Sequence, residues 1–86
     1  MEARVEFMLV RALKRAGYPG SEHWTLEAGW APPELEELLW ACGKRFDYLK
    51  RAKKDSWEAY AKDGTFELGR DPIDAVGTLW LSLNQS

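Results

Sequence analysis

The chain holds one cysteine, Cys42, and one histidine, His23, the only residues from which a thiol–imidazole dyad can be built. A thiolate nucleophile needs a nearby base and surroundings that lower its pKa. Cys42 instead falls between Leu39 and Phe46 in a run of apolar spacing, where cysteine serves as a small core residue. His23 precedes Trp24, a setting for capping a turn or packing on a ring. Carboxylates gather in two places, Glu34, Glu36 and Glu37 in one and Asp71 and Asp74 in the other. Both groups begin predicted helices, where acidic side chains cap free N–H groups and complement the helix dipole. Capping accounts for them without a general acid or a metal ion. One cysteine and one histidine cannot supply a four-ligand zinc site. Gly17 and Gly20 flank a proline turn without the Lys-Ser/Thr of a phosphate loop. The sequence therefore predicts no catalytic residue, no cofactor, no metal site and no enzyme.

A second constellation is basic and aromatic. Lys44, Arg45, Lys50, Arg51, Lys53 and Lys54 are interleaved with Phe46, Tyr48, Trp57 and Tyr60. Cations tracking a phosphate backbone, with rings for stacking bases, are the chemistry of nucleic-acid contact. The plainer reading is a solvated helix face with Asp47–Arg51 and Glu58–Lys62 as i,i+4 pairs. The net charge of −2 lacks the strongly basic footprint of nucleic-acid-binding domains. The charge is nevertheless sorted. Residues 18–43 carry five carboxylates and no Lys or Arg, whereas residues 44–62 carry seven Lys and Arg against three carboxylates.

These residues need elements to position them. Met8, Leu9, Ala12, Leu13 and Ala16, with Val5 before them, recur at helical spacing over 2–16, and Phe7 and Val10 widen the apolar face. Gly17 is placed to end that helix in a left-handed conformation. Trp24, Leu26 and Trp30 read as a plug over the helices, and 25–28 as a short fourth helical turn or an extended piece. After Pro32-Pro33, the positions Leu35, Leu38, Leu39, Cys42, Phe46 and Leu49 keep helical phase, which then drifts. This predicts a long, kinked helix over 33–62, or two helices broken near Gly43. Thr65–Gly69 reads as a connector in which Phe66 and Leu68 face alike. Asp71 as cap, Pro72 at the first helical position and Asp74 at the third open a last helix over 72–84, in which Gly77 permits close approach of a neighbour. The fold expected is all-α: a small helical bundle of three main helices in one domain, 1–86. Leu9, Leu13, Leu39, Phe46, Leu49, Val76 and Trp80 are its predicted core.

Size and composition set the remaining bounds. Eighty-six residues with 45% hydrophobic content describe a globular chain. No apolar run approaches the ~20 residues of a membrane span, and the charged start lacks a signal peptide's apolar centre. A lone cysteine points to a reducing cytoplasm. Asparagine and glutamine occur only as Asn84 and Gln85, a depletion seen in thermophile proteins. Five tryptophans, each able to bury ~200 Å², exceed what a three-helix domain needs to cover. Trp40, Tyr48, Trp57 and Tyr60 are the expected partner-binding residues, engaging another protein or a second copy as a homodimer.

The stretch His23-Trp24-Thr25-Leu26-Glu27, followed by Pro33-Glu34-Leu35-Glu36-Glu37-Leu38-Leu39-Trp40, resembles small helical phage tail-assembly chaperone-type proteins. In that family an aromatic, polar and acidic turn leads through proline into a Leu-rich helix. The resemblance covers about a third of the chain. It implies transient binding to phage structural proteins and no catalytic residues. The function expected is thus a non-catalytic protein-interaction module of a phage or mobile element, acting as an assembly chaperone or an inhibitor. The alternative is a nucleic-acid-binding accessory protein using 44–62.

Overall fold

The computed structural model describes residues 2–21 and 33–84, with side chains in the first helix from Met8 onward. His23, Trp24, Leu26, Trp30 and the expected short helix at 25–28 lie outside the described residues, as do the side chains of Val5 and Phe7. Helix α1 (Glu2–Arg15) and helix α2 (Leu35–Cys42) precede three strands, β1 (Phe46–Lys53), β2 (Ser56–Ala61) and β3 (Phe66–Gly69). Helix α3 (Pro72–Asn84) follows. The strands form an antiparallel meander in the order β1-β2-β3. The all-α helical bundle is therefore corrected to an α+β fold, with α3 packed on the three-stranded sheet and α1 and α2 packed on α3.

The long helix over 33–62 is replaced by α2 and a hairpin, and Gly43 is the reason. Its backbone, at φ 61° and ψ −137°, donates its N–H to the Leu39 carbonyl. Only glycine adopts that conformation without a Cβ clash. One 3₁₀ turn, Gly43–Arg45, then delivers the chain into β1. Once the backbone is extended, Tyr48, Trp57 and Tyr60 favour a pleated surface. The expected i,i+4 pairs Asp47–Arg51 and Glu58–Lys62 cannot form on strands. The observed ion pair instead joins cross-strand partners, Lys50 and Glu58, at 3.5 Å.

Helix α3 is the hub. It packs against α1, α2, β2 and β3, with Ala75, Val76, Gly77, Leu79 and Trp80 buried. Its start matches the sequence reading: Asp71 Oδ1 accepts the Asp74 N–H at 2.7 Å, and Asp74 Oδ2 accepts the Arg70 N–H at 3.0 Å. Two free N–H groups are satisfied reciprocally, as in a capping box. Leu9 of α1 lies over Gly77, where a Cβ would meet the Leu9 methyl carbons at 3.1 Å. From Met8 onward, α1 buries Leu9, Val10 and Leu13, whereas Met8 is exposed. Gly17 ends α1 with φ 80°, as its position predicts. Of the predicted core, Leu9, Leu13, Val76 and Trp80 are buried, and Leu39, Phe46 and Leu49 pack against them while partly exposed.

Candidate functional site

The sheet separates alternate residues of its strands onto two faces. On β2, Trp57, Ala59 and Ala61 face the helices, with Ala59 and Ala61 buried. The cross-strand partners of Trp57, Ala59 and Ala61 on β1 are Arg51, Leu49 and Phe46. The opposite face carries Tyr48 and Lys50 on β1, Glu58 and Tyr60 on β2, and Phe66 and Leu68 on β3. No described element covers this face. Tyr48 is 45% exposed, Phe66 49% and Leu68 54%, an apolar strip on a chain of this size.

The rings on that face stand in one row. Tyr48 and Tyr60 are stacked at a centroid distance of 4.5 Å and an interplanar angle of 9°, and Tyr60 and Phe66 at 5.2 Å and 18°. These separations match the ~4.8 Å spacing of neighbouring strands, so the register itself sets the stack. Tyr60, on the central strand, has a neighbouring ring on each side. Its hydroxyl donates to Glu58 Oε1 at 3.0 Å, and that bond to a carboxylate, with Glu58's charge beside it, raises the Tyr60 pKa. Lys50 pairs with the same Glu58 and lies 5.8 Å from the Tyr60 ring centroid. The result is an apolar ridge with one neutralised ion pair beside it.

The four expected partner-binding residues are divided. Tyr48 and Tyr60 share the open face. Trp57 is on the inner side, packed against the core, with the Arg51 guanidinium 6.0 Å from its ring centroid. Trp40 is on α2 and 80% exposed. Phe66 and Leu68 complete the ridge, and their shared facing in the sequence is the signal that marks them.

The basic residues do not form a helix face. Lys44 and Arg45 occupy the 3₁₀ turn, Lys50, Arg51 and Lys53 lie on β1, and Lys54 is in the β1–β2 turn. Arg45 donates to the Leu83 carbonyl and ties the start of β1 to the C-terminal turn of α3. Arg51 donates to the Lys54 carbonyl at 2.8 Å and braces the hairpin turn. Arg45 and Arg51 are thus engaged in holding the fold, while Lys50 pairs with Glu58 on the open face. Cys42, the last residue of α2, is buried, and burial pushes its thiol up to about 11, against a smaller downward pull from Arg45. A thiol in that state is not a nucleophile at neutral pH.

Among the described residues, no group of three or more His, Cys, Asp or Glu side chains is arranged to hold a metal ion. Among the same residues, no helix is long and apolar enough to cross a membrane. No family model, no curated protein and no solved structure matches this chain.

Proposed function

We propose that the chain is a non-catalytic protein-interaction module whose contact surface is the open face of the sheet. The observation that carries this reading is the mutual stacking of Tyr48, Tyr60 and Phe66. Base-stacking platforms present ring faces to the nucleic acid. Here each face of Tyr60 is turned to a neighbouring ring, so a partner meets mainly ring edges and the Leu68 side chain, with the outer faces of Tyr48 and Phe66 alone left outside the stack. Apolar edges beside a neutralised ion pair suit a protein surface, where Tyr and Phe are enriched. Exposed apolar patches of a few hundred Å² are typical of such sites. A role in assembly or inhibition, of the kind implied by the resemblance at residues 23–40, falls within this reading, and the one buried thiol suits a reducing cytoplasm. The partner is another protein or a second copy of the chain.

Sedimentation of the purified chain over a range of concentrations, beside Tyr48→Ala/Phe66→Ala, tests the self-associating form. A site-specific photo-crosslinker at position 66, compared with one at the exposed Lys62, tests the form with a foreign partner. The expected result is association or cross-linking through position 66 that the double variant loses. Salt-sensitive binding of oligothymidylate, lost in the same variant, would replace this reading with nucleic-acid binding.

A further inference from the structure

Trp40 belongs to a different surface from the ridge. On α2, Leu38 and Cys42 are buried, whereas Glu36, Glu37 and Trp40 are at i, i+1 and i+4 and share the exposed side. Residues three and four apart are neighbours on a helix surface, so both carboxylates flank the indole. An open groove beside α2 is lined by Tyr18, Pro19, Trp40 and Ala41 together with Glu34, Glu36 and Glu37. Among the described residues no Lys or Arg lines it, and no cation pairs with its three carboxylates. A ring this large left 80% exposed among unpaired negative charges is a half-built cation site.

We propose that this groove docks a cationic segment of a partner protein, with a Lys or Arg side chain over the Trp40 ring and its charge met by Glu36 and Glu37. The chemistry narrows the occupant. The carboxylates do not converge as metal ligands, which disfavours a bare divalent ion. Three negative charges repel nucleic acid and anionic lipid. A quaternary ammonium cage needs several open rings, and the second ring of the groove, Tyr18, is buried edge-on against Trp80 at 5.1 Å. A guanidinium or ammonium on a peptide needs only one ring and a carboxylate, and apolar neighbours on the peptide can lie on Pro19 and Ala41. This surface is independent of the sheet face, and the two proposals stand or fall separately.

The probe is a fluorescent peptide alternating Arg and Leu, with a control peptide carrying Glu in place of Arg, read by anisotropy. The expected result is binding of the basic peptide alone, weakened as salt rises. Trp40→Ala and Glu36→Gln/Glu37→Gln should each weaken it by roughly 5-fold or more, in line with one exposed cation–π contact or charge pair. All three side chains are exposed, so both variants should keep the parent melting temperature. Tyr48→Ala/Phe66→Ala should leave peptide affinity unchanged, which separates failure here from failure of the sheet-face reading. Self-association lost in the Trp40 and Glu36/Glu37 variants and in Lys53→Ala/Lys54→Ala would identify the hairpin tip of a second copy as the cationic segment. Equal binding of the acidic peptide, unchanged affinity in both groove variants, or a Trp40 shielded from acrylamide (wild type compared with Trp40→Phe) would overturn the proposal.

Discussion

The two faces of the same three strands are built to different rules. On the inner face the side chains are small wherever α3 presses closest: Ala59, Ala61 and Gly69. On the open face the residues one step along are Tyr60, Glu58 and Leu68. A face that meets a helix is constrained by volume, and close packing leaves no slack for even one methylene. The open face is constrained mainly by register, because its rings need only stand opposite one another. The same sheet can therefore hold the fold with one side and remain free to vary on the other.

The sharpest break between the faces should come at Gly69. A Cβ built there would lie 2.2 Å from the Ala75 backbone nitrogen and 2.6 Å from its Cα, and backbone atoms cannot move aside as a side chain can. Gly69→Ala should cost more than about 3 kcal/mol, a large share of the total stability of a domain this size. A denaturant midpoint close to the parent's would show that β3 and α3 can separate freely, and the contrast between the faces would fail.

A smaller effect is expected from the ionisable groups buried among the helices, Tyr18 and Cys42. Burial is the main reason that Tyr18 is raised to about 12, with Glu37 and Cys42 adding to it, and that Cys42 is raised to about 11. Both groups are neutral in the folded chain at pH values where the unfolded chain has begun to ionise. Their contribution is complete below about pH 9, and it falls as pH rises through 11 and 12. Both groups add to that alkaline loss, because the unfolded chain ionises them at lower pH than the folded one. Thermal melts from pH 8 upward on Cys42→Ala and Tyr18→Phe should show a flatter alkaline decline than the parent. An identical decline would place both groups in contact with water.

The least effect on stability is expected on the open face. Lys50→Ala should shift stability by no more than about 0.5 kcal/mol, because exposed ion pairs are screened. Tyr48→Ala should cost less than about 1 kcal/mol, the range of one cross-strand pair. Losses of several kcal/mol at either site would make the open face part of the folding core, and its availability to a partner would be lost as an argument.

Helix α3 was legible in the sequence because its signals are local. Asp71, Pro72 and Asp74 act within one turn, and an apolar face at 3.6-residue period follows. The 46–61 region misled because of a bulge. Phe46 pairs with Ala61 and Tyr48 with Tyr60, so Asp47 is an extra residue on β1. This insertion puts Phe46 and Leu49, three apart, on the same inner face. A spacing of three continues the series Leu39, Cys42, Phe46, Leu49 as if it were helical, while a flat strand would have alternated. The break at Gly43 was visible, but the type of element beyond it was not. The aromatic residues of the ridge were recognisable by type on β1 and β2. Phe66 and Leu68 belong to a strand of four residues, enough to show that they face alike but too short to mark the segment as a strand. Trp57 reads as a surface residue because nothing local distinguishes the two faces of a hairpin before its register is known.

The interruptions in β1 bear on solubility. Among the described residues the strand is an edge, paired with β2 alone, and it adjoins an exposed apolar ridge, a combination that invites ordered stacking into fibrils. Register breaks at Asp47 and Ala52 divide eight residues into short stretches that cannot template a straight, continuous ladder with another chain. Lys50 and Lys53 add charge that would be brought together in every in-register stack. The edge beside the open face thus resists amyloid growth, and repairing the bulges by deletion would remove that protection.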